Sequence, residues 1–216
     1  MTRTTLLALL VAGSLIGFAG PRQRRQADNT PGSFDYYLLN LSWAPEFCAA
    51  HVGNVSSSEC GPAHHFGFIV HGLWPENNDG SYPQDCGTFS PVAQPIVQHM
   101  LTIMPNRGLI QHEWARHGTC TGLAAQDYFN EIETAFRKVQ IPPEYRNPAS
   151  PVTAMPSEIE QKFAQANNAP AGAFRVVCSQ SDFDVEACLT KDLEFRQCGR
   201  RLRDCSANQV TLPPVR

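Results

Sequence analysis

HEWARHGTC, at residues 112–120, places two histidines, a carboxylate and a guanidinium within a short stretch. A helix turns by about 100° per residue, so His112 and Arg116 are predicted to stand one turn apart. Glu113 and His117 form a second such pair on the same face, and Trp114 is predicted to point elsewhere. Histidine titrates near neutral pH, and arginine supplies a fixed positive charge. The stretch therefore predicts a helix face suited to proton transfer beside a bound anion.

HGLWP, at residues 71–75, is the second dense motif. Alternating apolar residues predict a strand over residues 66–71, followed by a loop over residues 72–88 that is rich in Gly, Pro, Asn and Asp. Gly72 would permit a tight turn, and Trp74 offers either a stacking surface or a core side chain. A lone histidine at a strand end is usually structural, so His71 gains its significance from the other motif.

The remaining patterns indicate both strands and helices. Alternation over residues 35–43 predicts a strand, and further strands are predicted over residues 174–178, 183–188 and 209–212. Helices are predicted after an N-cap at Ser90, over residues 127–139, and after a capping box formed by Ser157 and Glu160. Because strands and helices do not alternate regularly, the expected fold class is α+β, with a central antiparallel sheet flanked by helices.

Composition limits the classes of function. With 216 residues, 42% hydrophobic and 17% charged, the chain can form one globular domain. Its net charge of −3 provides no basic surface for duplex nucleic acid. Any polyanion must therefore be bound locally, by a few cations and aromatic side chains.

The N-terminus predicts export. Arg3 precedes an apolar run over residues 6–18, which is short for a membrane span, and the run ends in a small-x-small pattern. Residues 1–19 are therefore predicted to be a signal peptide. Residues 20–33 then form a flexible lead-in, and residues 34–216 the folded domain. The eight cysteines suit disulfide bonds in a secreted or periplasmic protein.

A zinc site is the competing interpretation of these residues. It finds little support, because the chain has no CxxC pair, and because His112 and His117 are five positions apart, about 140° around a helix. No metal and no cofactor is expected.

With both motifs in view, the chain resembles the ribonuclease T2 family of secreted transferase-type ribonucleases. That family carries HGLWP and HEWxKHGTC in this order and at comparable spacing, and the likeness extends to LSWAPEFC at residues 41–48, to Cys86 and to the cysteine-rich tail. It covers residues 34–212. One position departs from the pattern, since Arg116 stands where the family usually has lysine.

The resemblance implies a metal-independent endoribonuclease that cleaves single-stranded RNA through a 2′,3′-cyclic phosphate to a 3′-phosphate. His117 is expected to be the base and His71 the acid. Glu113 and Arg116 would stabilise the phosphorane, and His112 would bind phosphate as an auxiliary. Trp74 is the candidate for stacking on a base. A monomer without stable protein partners and without membrane attachment is expected.

The resemblance also implies disulfide pairing as Cys48–Cys60, Cys86–Cys120, Cys178–Cys205 and Cys188–Cys198. Asn40 and Asn54 begin glycosylation sequons, which matter only in a host that glycosylates exported chains. Two other functions stay open from sequence alone. One is an RNA-binding or signalling protein whose catalysis is impaired by Arg116, and the other is the zinc hydrolase.

Overall fold

The structure is a computed structural model, and it describes residues 28–51, 57–61, 65–88, 90–179, 182–199 and 204–215. The strands in these ranges are β1 (Tyr36–Trp43), β2 (Phe68–Glu76), β3 (Val152–Ala154), β4 (Phe174–Cys178), β5 (Phe183–Leu189) and β6 (Val210–Leu212). The helices are α1 (Ala44–Ala50), α2 (Ser57–Cys60), α3 (Gln94–Met100), α4 (Arg107–Arg116), α5 (Ala125–Lys138), α6 (Pro143–Arg146) and α7 (Pro156–Ala166), with a 3₁₀ turn at Gly118–Cys120.

The main sheet has the order β2-β1-β5-β4, and each neighbouring pair is antiparallel. A second, two-stranded sheet pairs β3 with β6. The expected α+β class with a central antiparallel sheet is therefore confirmed.

The side chains of β1 alternate between the two faces of the main sheet. Its predicted apolar side chains, Tyr37, Leu39, Leu41 and Trp43, all lie in the large hydrophobic core. Helix α5 covers this face. The apolar residues of the helix recur at helical spacing, and the buried ones are Tyr128, Phe129, Ile132 and Ala135. Because side chains alternate along a strand, the other face of β1 carries a different set. That set is Tyr36, Leu38, Asn40 and Ser42.

The second face changes from apolar to polar along its length. At one end Tyr36 and Leu38 pack with Cys188, and the half-buried Trp74 lies against this small cluster. At the other end Asn40 and Ser42 stand opposite Glu186 and Asp184 of β5. The polar half of this face carries part of the candidate site.

Four disulfide bonds lie within the described residues, with the pairing that the resemblance implies. They are Cys48–Cys60, Cys86–Cys120, Cys178–Cys205 and Cys188–Cys198. The second of them joins the loop after β2 to the 3₁₀ turn after α4, so it ties together the two segments that contain the sequence motifs.

Several boundaries differ from the sequence predictions. The prediction that a loop begins at Gly72 is wrong, because β2 continues through HGLWP to Glu76. Pro75 is tolerated there because β2 is an edge strand. Helix α3 begins at Gln94 rather than after Ser90, whose carbonyl instead accepts a hydrogen bond from Trp114.

The capping box of α7 is also displaced. The backbone N–H of Met155 donates to Glu158, whereas Glu160 accepts from the backbone of Val176 on β4. The carboxylate predicted to cap the helix thus joins it to the sheet.

The predicted signal peptide lies outside the described residues, as do Asn54 and most of the lead-in. Asn40 is only 2% exposed within the central strand, so this sequon cannot carry a glycan in the folded protein. Among the described helices, none has the length and apolar character needed to cross a membrane.

Candidate active site

A β-bulge presents His71. Asn40 pairs with Gly72, and the next residue, Leu41, pairs with Val70, so His71 is the extra residue on β2. A bulge changes the direction of a side chain and is common beside active sites. The His71 side chain is 40% exposed, which leaves its ring accessible to a ligand.

Gly72 lets α4 approach the strand closely. A Cβ atom at this position would lie 2.8 Å from Cδ of Glu113 and 2.5 Å from Nε1 of Trp74. That space is occupied by a hydrogen bond, in which Trp74 Nε1 donates to Glu113 Oε2 at 2.7 Å. Gly72 does not form the predicted tight turn, and its missing side chain instead makes room for this contact.

Helix α4 brings Glu113 into the site. Asn106 caps the helix, because its side-chain oxygen accepts from the backbone N–H groups of Gly108 and Leu109. The glutamate is only 1% exposed, and its Oε1 lies 3.7 Å from His71 Nε2. His112, one residue earlier, is exposed to solvent.

His117 lies where α4 ends. Its backbone has φ −119° and ψ −43°, and its N–H donates to the carbonyl of Glu113. The ring stacks on Trp74, with centroids 5.2 Å apart, and Trp74 also contacts His71 edge to face at 5.5 Å. The indole of Trp74 thus contacts both histidine rings.

The turn after His117 depends on Gly118. A Cβ there would come within 2.8 Å of the Tyr128 ring and closer still to Trp114. Glu113 and His117 were predicted to lie on one face of a continuous helix, but α4 ends at Arg116, and His117 is its C-cap residue.

Arg116 is held by the loop that precedes Cys86. Its Nη1 donates to Asp85 at 2.9 Å, and its Nη2 donates to Gln84 at 2.7 Å. The guanidinium is 39% exposed and Asp85 is 55% exposed. Arg116 is near enough to Glu113 for its charge to lower the pKa of that carboxyl, although burial has the larger effect.

Two polar side chains next to His71 lie outside HGLWP and HEWARHGTC. Ser42 Oγ donates to Asp184 Oδ1 at 2.6 Å, and the same oxygen lies 3.3 Å from Nδ1 of His71. The alternation along β1 predicts that Ser42 faces away from the core, but only the strand pairing shows that it meets His71 and Asp184.

Burial dominates the electrostatics of the site. It raises the pKa of Glu113 to about 8, against the opposing effects of Trp74 and Arg116. It also lowers the pKa of His71, while the negative charge of Asp184 raises it. Burial raises the pKa of Asp184, and its hydrogen bond from Ser42 and the charge of His71 oppose this.

A cavity of about 380 Å³ opens beside His71. Its walls are partly apolar and partly polar, and they include Ser42, Phe47, Glu59, His71, Asn106 and Asp184. Among the described residues, no group of three or more His, Cys, Asp or Glu side chains is arranged to hold a metal ion. The arrangement supplies two imidazoles and a buried carboxyl, which can exchange protons with a ligand bound next to the cavity.

Ribonucleases are among the known proteins that this chain resembles in sequence. A ribonuclease from Aeromonas hydrophila is 38% identical over 113 residues, which are 52% of this chain and 49% of that protein. A probable ribonuclease from Haemophilus influenzae is 33% identical over 126 residues, or 53% of this chain and 46% of the other. The chain thus matches about half the length of these curated relatives.

The fold has solved counterparts. The structure of the RNase-related protein from Calystegia sepium superposes with a TM-score of 0.69 at 21% identity, covering 85% of this chain and 98% of that one. The model of the Ribonuclease T2 family matches residues 34–198, which include both motifs and all five predicted catalytic side chains. By that match, the chain belongs to the Ribonuclease T2 family.

Proposed function

We propose that this protein is an endoribonuclease that cleaves single-stranded RNA by transphosphorylation, first to a 2′,3′-cyclic phosphate and then to a 3′-phosphate. The observation that carries the proposal is the contact of His71 and His117 with the same indole, that of Trp74, with the carboxyl of Glu113 hydrogen-bonded to it. One neutral and one protonated imidazole can take a proton from a bound group and give one to it near neutral pH.

In the first step, His117 takes the proton of the RNA 2′-hydroxyl. The 2′-oxygen attacks the adjacent phosphorus, the bond from phosphorus to the 5′-oxygen breaks, and protonated His71 gives its proton to the leaving 5′-oxygen. In the second step the two histidines exchange roles: His71 takes a proton from water, and the water oxygen attacks the phosphorus. The bond from phosphorus to the 2′-oxygen breaks, and His117 gives its proton to that oxygen, so the product is the 3′-phosphate. RNA supplies its own nucleophile, so no metal is needed to generate one.

Glu113 and Arg116 stabilise the phosphorane. Because burial raises the pKa of Glu113 to about 8, its carboxyl is protonated at neutral pH and can donate a hydrogen bond to a phosphate oxygen. Arg116, three residues after Glu113 on α4, adds a positive charge, and the exposed His112 adds an auxiliary phosphate contact.

The substrate strand lies across the second face of the sheet. The cavity beside His71 accepts a base next to the scissile phosphate, and its size and mixed walls suit a planar heteroaromatic group. A single strand can turn its bases into such a cavity without breaking base pairs. Trp74 adds a stacking surface, although one side of its ring already contacts His117.

We also infer export of the mature protein, which acts as a monomer. The predicted signal peptide and the four disulfide bonds support an oxidising compartment. Relatives differ in this respect, since one tomato ribonuclease is named extracellular and another intracellular.

The test uses His71→Ala and His117→Ala, with His99→Ala as the matched control. His99 pairs with Glu133 outside the site. Each site variant should lose roughly 10²–10⁴-fold in the rate of RNA cleavage in the presence of EDTA, because each removes one proton transfer, whereas the control keeps its rate. A folded site variant with near wild-type turnover would contradict the assignment. Binding of RNA without cleavage by the wild type would favour an RNA-binding protein instead.

A further inference from the structure

Three adjacent strands bring His71, Ser42 and Asp184 together. The serine and the aspartate face each other across the β1–β5 pair, and the bulge turns His71 of β2 toward the same place. Ser42 Oγ is 2.6 Å from Asp184 Oδ1 and 3.3 Å from His71 Nδ1. All three side chains line the cavity beside the proposed active site.

The hydrogen-bond capacities fix the direction of this chain of contacts. A serine hydroxyl has one proton, and Ser42 uses it to donate the short hydrogen bond to Asp184. The oxygen of Ser42 therefore faces His71 with a lone pair, and only a protonated Nδ1 can complete the contact. Nε2, which lies 3.7 Å from Glu113, is then the nitrogen that gains and loses a proton.

We propose that Asp184, acting through Ser42, is a positioning residue that keeps a proton on Nδ1 of His71 and so leaves Nε2 as the proton donor. The proposal rests on the proposed function in so far as His71 is the general acid. A carboxylate that orients a catalytic imidazole through its second nitrogen has a general physical basis, because it selects one tautomer and stabilises the imidazolium.

Asp184 is well placed to do this. It lies on β5 in the middle of the sheet, and Asn40 of β1 lies 3.4 Å from its second oxygen. A group held by rigid strands keeps its geometry better than one on a loop. Neither Ser42 nor Asp184 belongs to the two sequence motifs.

The other charged groups near His71 also affect its protonation. Burial has the largest effect on the pKa of His71 and lowers it, as does the charge of His112, whereas the charges of Asp184 and Asp182 raise it. Glu113 faces the opposite nitrogen and has a raised pKa of its own. Asp184 differs from these groups in being linked to Nδ1 by a hydrogen-bonded side chain.

The first experiment measures the tautomer directly, without reference to activity. Nitrogen-15 NMR of the imidazoles in the wild type, Asp184→Asn, Ser42→Ala and Ser42→Thr reports which nitrogen of neutral His71 carries the proton. The wild type and Ser42→Thr, which keeps the hydroxyl, should hold it on Nδ1. Ser42→Ala and Asp184→Asn should shift the population toward Nε2, and Asp192→Asn, an exposed aspartate beyond β5, should not.

The second experiment measures the pH dependence of cleavage of a defined dinucleotide. Asp184→Asn removes a charge that raises the pKa of His71, so the acid form is lost at lower pH. The alkaline limb of kcat should therefore move to lower pH. The rate should fall roughly 10- to 100-fold, part of the ~10²–10⁴-fold that a general acid contributes, with little change in KM.

The outcomes separate the two claims. An unchanged tautomer and an unchanged pH profile in both Asp184→Asn and Ser42→Ala overturn the positioning role. If the wild type cleaves no RNA, the proposed function fails, while the NMR titration still decides whether Asp184 controls the protonation of His71.

Discussion

At the residue scale, Glu113 is the side chain whose environment is most unusual. It is 1% exposed, accepts a hydrogen bond from Trp74, and has a pKa raised by burial to about 8. An ionised carboxylate there would repel a phosphate, whereas the protonated acid can donate to it. The short motif predicts that a carboxyl lies near the histidines, but only the packing of α4 against β2 predicts that it is neutral.

This pKa predicts a dependence of stability on pH. Well below pH 4.5 the carboxyl is protonated in the folded and unfolded chains alike. Between pH 4.5 and about 8 the unfolded chain loses the proton and the folded chain keeps it, so the free energy of unfolding falls as pH rises. Glu113→Gln should remove this loss, at roughly 1.4 kcal/mol for each unit of pKa difference.

Urea unfolding at pH 5 and pH 8 measures the effect, with Glu194→Gln at an exposed position as the control. The difference in unfolding free energy between the two pH values should shrink by a few kcal/mol in Glu113→Gln. An equal difference in wild type and Glu113→Gln would show that Glu113 titrates near its ordinary value.

Arg116 raises a separate question, because its guanidinium already binds Asp85 and Gln84. If Arg116 also contacts the scissile phosphate, Arg116→Ala should lower kcat at least tenfold and change KM less, since the contact strengthens as charge develops. Arg116→Lys should keep much of the activity.

Asp85→Asn is the matched variant, since it breaks the ion pair and leaves the guanidinium in place. An exposed ion pair contributes at most about 1 kcal/mol, so this variant should fold and should retain its single-turnover rate. Equal single-turnover rates in wild type and Arg116→Ala would mean that Arg116 only holds the loop.

At the element scale, the bulge in β2 and the close approach of α4 determine the site. Composition suggested a loop after His71, because Gly72 and Pro75 are common in turns. The strand continues because β1 pairs with it through Glu76. Strand pairing is a tertiary effect that local composition does not report, so the sequence predicted the existence of β2 but not its length.

Gly72→Ala tests this arrangement. Its Cβ would displace the hydrogen bond between Trp74 and Glu113, because it would lie 2.5 Å from Nε1 of Trp74 and 2.8 Å from Cδ of Glu113. We expect overpacking to lower the free energy of unfolding by about 1–3 kcal/mol. We also expect the cleavage rate to fall at least tenfold. Gly87→Ala is the control, since the atoms nearest to its Cβ would belong to the Thr119 side chain, the closest of them at 3.2 Å.

Thermal unfolding and dinucleotide cleavage measure the two effects. If Gly72→Ala matches the Gly87→Ala control in both measurements, the close packing of β2 and Glu113 is not needed for the site.

At the scale of the whole molecule, one face of the main sheet packs in the hydrophobic core and the other carries polar residues of the candidate site. One face of β1 packs into the main core, and the other carries Ser42 beside His71 and Asp184. The alternation in β1 predicted the core face well, because burial imposes a period of two. The partners of the polar face were not predictable from it, because they come from strands far apart in the sequence.

In the proposed reaction the RNA itself supplies the nucleophile. Two oligonucleotides that differ only in the 2′-hydroxyl next to one scissile phosphate test this, incubated with the protein in EDTA and followed by phosphorus-31 NMR. We expect cleavage of the all-ribose strand at that position, with a 2′,3′-cyclic phosphate appearing before the 3′-phosphate, and no cleavage where the hydroxyl is missing. Cleavage at the deoxy position, or products that form without a cyclic intermediate, would contradict it.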